Sequence, residues 1–183
     1  MVAVFDVVWD FGGTANTPGT TGTVVTNLRF NNEDTNDQDA LSPINIPSGA
    51  DVYSFWKQIY LKCTTAPDTQ VDNVRIYTDA SLAWTGCTVN VGDGTQTKTS
   101  ALSTGYDPGQ AAVLTTHDTV SAVTSLFTYT SGAPRTVSVS ETSNIIDAIN
   151  ETSDYVCLSL TVSNTAVSGT QATETITWLY DEI

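Results

Sequence analysis

Apolar residues in this chain recur at every second position, and that period dictates extended strands. In Val2–Phe11, the residues Ala3, Phe5, Val7, Trp9 and Phe11 share one face. In Val52–Cys63, Phe55, Ile59 and Leu61 face one way, while Trp56 and Tyr60 face the other. Cys87, Val89 and Val91 repeat the pattern, as do Val74 with Ile76, and Val156, Leu158, Leu160 and Val162. A period of two alternates side chains between the faces of a sheet, whereas a helix needs about 3.6 residues per turn. One segment has helical spacing: Ile145, Ile146 and Ile149 within Ser143–Asn150, with Ser143 as a candidate cap.

The strands are separated by turn chemistry. Gly12–Gly22, rich in Gly, Thr and Pro, reads as a flexible loop or arm. Thr23–Phe30 reads as a strand with Val24, Leu28 and Phe30 on one face, and Asn31–Asp39 as an acidic loop. Pro43 and Pro47 bracket a short edge piece, Ile44–Ile46. Gly92-Asp93-Gly94 signals a hairpin, with Thr95–Leu102 as its return strand. Tyr106-Asp107-Pro108-Gly109 is a turn, and Ser131-Gly132-Ala133-Pro134 a second hairpin. Asp154–Ser163 and Thr173–Tyr180 are the closing strands. Roughly nine to eleven strands result. The expected class is all-β: a jelly-roll-like β-sandwich with one short helix, spanning residues 1–183 as one domain.

A chain of 183 residues can bury a two-layer core without disulfide or metal staples. Charged residues are only 14%, and 20 acids against 6 bases leave a net charge of −14. Phosphate binding needs clustered Lys and Arg, so neither nucleic acid nor an anionic membrane is an expected partner. The start, Met1–Asp6, lacks a basic stretch and carries an early acid, so a secretory leader is not expected. No run approaches the ~18 apolar residues of a membrane span. Synthesis in a cytoplasm is the expectation.

Candidate chemistry is sparse. His117, the single histidine, sits in the polar stretch Thr115–Asp118, and no G-x-S-x-G elbow accompanies it. Acids gather at Glu33, Asp34, Asp37 and Asp39, and at Asp181-Glu182. The first group resembles a loose calcium loop but lacks the Gly and terminal Glu of an EF-hand, so solvated turns are preferred. Cys63, Cys87 and Cys157 each lie in apolar runs and read as free, buried thiols. Asn150-Glu151-Thr152 fits a glycosylation sequon, read as coincidence. Trp9, Trp56, Trp84 and Trp178 would form a sugar platform only if exposed, and their strand settings favour core packing. No catalytic, cofactor or metal site is expected.

Two stretches carry a resemblance. The first is Tyr53–Lys62 followed by Val71–Thr78. The second is Asp154–Val162 with Thr175–Glu182, ending in Tyr180-Asp181-Glu182. Together they are similar to a loose set of virion structural proteins from tailed phages and related archaeal viruses. The resemblance implies a β-sandwich that packs on a shell or tail, often as a trimer, and supplies no catalytic residues. The expected function is therefore a capsid decoration (cement) or minor capsid protein that binds the assembled shell. Its partners would be the major capsid protein, other virion subunits and copies of itself, and its location the virion. A tail or fibre component is the close variant, and a carbohydrate-binding β-sandwich module is the alternative class.

Overall fold

A computed structural model describes residues 2–34, 43–94, 98–106, 120–169 and 171–183. Ten strands are present among them: β1 (Val4–Thr14), β2 (Thr17–Val24), β3 (Val52–Tyr53), β4 (Lys57–Thr65), β5 (Val71–Tyr77), β6 (Cys87–Gly94), β7 (Val120–Ser125), β8 (Arg135–Thr136), β9 (Val156–Val162) and β10 (Thr177–Glu182). Every pairing is antiparallel. A large sheet has the order β2-β1-β4-β9-β6-β7, and a small sheet the order β10-β5-β8. β3 also pairs with β9, on the side where β4 continues. Between β3 and β4, the Ser54 hydroxyl accepts from the Leu160 amide at 2.8 Å and so keeps that backbone group satisfied. The result is the expected all-β sandwich, with layers less equal than the two four-stranded sheets of a jelly roll.

The alternation places the core. Trp9, Ile59, Leu61, Cys63, Val89, Val91, Leu158 and Leu160 from the large sheet meet Val74 and Ile76 from the small one. Val137, Val139 and Ile146 close the layer from connecting segments. Each large apolar side chain so buried stabilises by roughly 1.5–3 kcal/mol. The outer face of the large sheet carries a second, smaller cluster of Val8, Trp56, Tyr60, Tyr106, Tyr155 and Cys157. Trp56 and Tyr60 thus oppose Ile59 and Leu61, as the alternation requires.

Several local expectations give way to longer-range pairing. The helix expected at Ser143–Asn150 is replaced by one 3-10 turn, Thr142–Asn144, in which Ser143 and Asn144 have φ of 69° and 58°. Ile146 instead exchanges backbone hydrogen bonds with Val71, at 2.8 and 2.9 Å. A helix of two turns has a costly nucleus, and a bridge to the small sheet outcompetes it.

Gly12–Gly22 is no loose arm: β1 runs on to Thr14, turns at Ala15–Asn16 and returns as β2. Its glycines permit the close approach, because a Cβ on Gly13 would lie 2.3 Å from the Thr17 carbonyl oxygen. Gly92–Gly94 is strand rather than hairpin. β6 continues through it with a register shift between Val91 and Asp93, and its partner is β7. The described part of the supposed return strand, Lys98–Leu102, forms a turn closed by a Thr99–Leu102 bridge. The strand expected over Thr23–Phe30 ends at Val24, which is exposed, while Leu28 and Phe30 reach the core from irregular chain. Ile44–Ile46 is likewise irregular, with Ile44 packed against the core. The turn at Ser131–Gly132 forms, closed by reciprocal Thr130 and Ala133 hydrogen bonds, but the hairpin expected around it does not, because β7 pairs with β6 and β8 with β5. The turn hands the chain from the large sheet to the small one.

Candidate functional site

Strand alternation drives one carboxylate into the outer cluster. Asp10 follows Trp9 on β1, so it faces the opposite side and is 2% exposed. The Tyr60 hydroxyl, from β4, donates to Asp10 Oδ1 at 3.0 Å, and the Gly22 amide donates to the same atom at 2.8 Å. The Tyr155 hydroxyl donates to Asp10 Oδ2. Burial and the adjacent Asp10 charge push both phenols far above their usual range.

Lys98 caps this cluster. Its Nζ stands 4.3 Å from the Tyr60 ring centre and 5.2 Å from that of Tyr155. It donates long bonds to the Leu102 and Thr99 carbonyls, at 3.3 and 3.4 Å. Burial lowers the Lys98 pKa, partly offset by Asp10, Glu141 and Asp154. Asp154 accepts from the Lys98 and Tyr155 amides, both at 2.9 Å. Its own pKa is raised by burial, against those hydrogen bonds. Beside Lys98 opens a polar cleft of about 370 Å³, bounded by Asp10, Tyr60, Lys62, Ser100, Asn150 and Thr152. The Thr152 hydroxyl is buried there and has no hydrogen-bond partner among the described residues.

A second polar group lies on the inner face, at one end of the sandwich. Lys57, at the start of β4, is 0% exposed, and its Nζ lies 5.3 Å from the Trp9 ring centre. The ammonium donates to Asn31 Oδ1 and to the Glu33 carbonyl, both at 2.8 Å. Desolvation lowers its pKa to about 8, opposed by the charges of Asp34 and Glu33. Asp34 is itself held by the Gly12 amide at 2.6 Å and the Tyr106 hydroxyl at 3.2 Å.

The residues singled out in the sequence are dispersed. His117, Asp37 and Asp39 lie outside the described residues. Asp181 pairs with Arg75 at 2.6 Å, and Glu182 accepts from the Ala3 amide at 2.9 Å. Among the described residues, no group of three or more His, Cys, Asp or Glu could hold a metal. All three cysteines are free, Cys63 and Cys157 fully buried on opposite faces of the large sheet. Burial raises the pKa of each thiol. Trp9 and Trp56 are fully buried. Trp84 and Trp178 are half-buried and pack against the core, with Trp84 Nε1 donating to the Ala172 carbonyl at 2.7 Å. The tryptophans form no exposed platform. Asn150 of the sequon is exposed at the rim of the cleft.

Asp10, Lys57, Lys98 and Tyr155 were not singled out by their pattern. The available signal was an acid inside a strongly alternating strand, and a lysine opening another. Among the described residues, no helix is long and apolar enough to cross a membrane. Comparison with protein-family models, with curated proteins and with solved structures finds no match to this chain.

Proposed function

We propose that this chain is a non-catalytic virion structural protein, a capsid decoration or minor capsid subunit that binds the assembled shell. One observation carries the reading. β2 is the outermost strand of the large sheet, exposed along most of its length, and Thr17–Val24 contains no charged residue. Edge strands are usually blunted by charge, Pro or bulges. Here Pro18 limits the end near the turn, and the register shift between Trp9 and Phe11, which falls opposite Thr20–Thr23, turns the Gly22 amide inward to Asp10 without adding a charge to the edge. Thr20–Val24 remains a neutral edge on a chain of net charge −14, suited to receiving a strand from a neighbouring subunit. The inward commitment of the polar groups supports a passive role, since Asp10 spends both oxygens on internal donors. The partners are shell subunits and copies of the same chain, as a trimer, and the acidic charge favours protein over nucleic acid.

The polar cleft favours a second reading, a carbohydrate-binding module that takes one sugar through polar groups such as those of Lys62, Ser100 and Asn150. Size-exclusion chromatography with light scattering, followed by co-sedimentation with capsid shells, separates the two. A trimer, or a monomer that sediments stoichiometrically with shells and loses that property in Thr20→Lys, supports the structural reading. A monomer that ignores shells and binds a glycan array overturns it in favour of the module.

A further inference from the structure

We infer that Lys57 and Asn31 condense into an intramolecular isopeptide bond, joining Lys57 Nζ to Asn31 Cγ with release of ammonia. The two groups already touch: Nζ is 2.8 Å from Oδ1 of the carboxamide, one bond from the carbon to be attacked. Both are withdrawn from water, Lys57 at 0% exposure and Asn31 at 7%. Neither is free to drift. The Phe55 amide donates to the Asn31 carbonyl at 3.1 Å, and Nζ is held by the Glu33 carbonyl at 2.8 Å. Proximity of this kind converts a slow bimolecular aminolysis into a unimolecular step.

The chemistry needs a neutral amine and a carrier for one proton. Desolvation disfavours the charged amine, and its lowered pKa leaves a nucleophilic fraction at neutral pH. Asp34 and Glu33 are the carboxylates whose charge the ammonium feels, and either can take the proton that Nζ sheds. The amine lone pair then adds to Cγ. The carboxyl group returns a proton to Nδ2, the Cγ–Nδ2 bond breaks, and the departing ammonia takes the second proton from Nζ and leaves as ammonium. Overall, one lysine ammonium and one carboxamide become a secondary amide and an ammonium ion, so no oxidant or cofactor is required. Lys98, the other buried lysine, aims its Nζ at the backbone carbonyls of Thr99 and Leu102, which offer no leaving group.

The bond would fasten the chain ahead of β3 to the start of β4, across 26 residues. Intact-mass spectrometry of the whole purified chain tests it. The expected mass is about 17 Da below the sum of its residues, the mass of one ammonia. Trypsin should no longer cut after Lys57, because its side chain is an amide. The fragment running from Phe30 after Arg29 to Lys62 should therefore appear uncut and equally light. Cutting that fragment at Glu33 and at Asp51 should leave its two ends still joined. Lys57→Met and Asn31→Ala should each restore the full mass, and Glu33→Gln with Asp34→Asn should slow the loss. A wild-type chain that keeps its full mass overturns the inference. So does a light fragment that trypsin still cuts at Lys57, which is the product of succinimide formation.

Discussion

Tyr155 donates its hydroxyl to the carboxylate of Asp10 across the outer face of the large sheet, 145 residues away in sequence. With Tyr60 on the other oxygen, this ties β1, β4 and the start of β9 through one buried charge. A buried carboxylate is tolerable only while its donors and its cation remain. Tyr155→Phe should therefore cost about 1.5–3 kcal/mol, the usual worth of a hydrogen bond to a charged group. Asp10→Ala should cost more, about 3–5 kcal/mol, because it strands two buried phenols and removes one of the three carboxylates that offset the burial of Lys98. Urea unfolding of the single and double variants checks both. Non-additivity of at least about 0.5 kcal/mol is expected for residues sharing one network.

The same phenols set the alkaline limit of the fold. Both have pKa values raised in the folded chain, so the native state keeps its phenolic protons after the unfolded chain begins losing them near pH 10. The native state then binds more protons, and stability falls as pH rises above about 10, by up to about 2.7 kcal/mol per pH unit for two groups. Lys98 works in the opposite sense below that range. Its lowered pKa means that the unfolded chain holds the extra proton, so stability rises until about pH 10.4. Denaturation midpoints between pH 8 and pH 12, read with phenolate absorbance, should show the steep loss. Tyr60→Phe with Tyr155→Phe should flatten it.

Which of these features could be read from the chain follows from how local they are. The faces of β1, β4, β6 and β9 were legible because burial on a sheet has a strict period of two, and Trp9, Ile59, Val89 and Leu158 all obey it. Strand partners were not legible. β4 pairs with β9 across roughly a hundred residues, and no turn residue announces that. The helical spacing of Ile145, Ile146 and Ile149 was real but lost to the bridge between Ile146 and Val71. Asp10 and Lys57 resemble ordinary strand-surface residues. Only the layer formed by Tyr60, Tyr106 and Tyr155 on one side, and the chain at Asn31–Asp34 on the other, buries them.

Arg135 joins the two sheets, and its fork cannot be replaced by a point charge. From β8 in the small sheet it pairs with Asp93 of β6 at 2.8 Å and donates to the Tyr129 hydroxyl at 2.7 Å. It also reaches Thr124 on β7 at 3.2 Å while only 8% exposed. Lysine supplies the charge but not three bonds in one plane. Arg135→Lys should therefore lose about 1.5–3 kcal/mol, close to the loss in Arg135→Met. A lysine variant of wild-type stability in urea would show that charge alone matters there.

Gly92 offers the sharpest test of the β6–β7 junction. A glycine beside Asp93 and Gly94 suggests a turn, yet the residue lies within a strand and its φ is unremarkable. What excludes a side chain is space. A Cβ there would stand 2.3 Å from Val120 Cγ1 and 2.9 Å from the Ser121 carbonyl oxygen. The valine can rotate, but the carbonyl belongs to the β7 backbone, so alanine must push the edge strand outward. Gly92→Ala should cost about 1–3 kcal/mol, the usual range for overpacking. The loss should concentrate on β7, with faster amide hydrogen exchange at Ser121 and Thr124 than at Leu158 or Leu160 in the neighbouring β9. Trimming the valine in Gly92→Ala with Val120→Ala should recover only the part of the loss due to the side-chain clash. Full recovery would mean that the β7 backbone is not what keeps this position glycine.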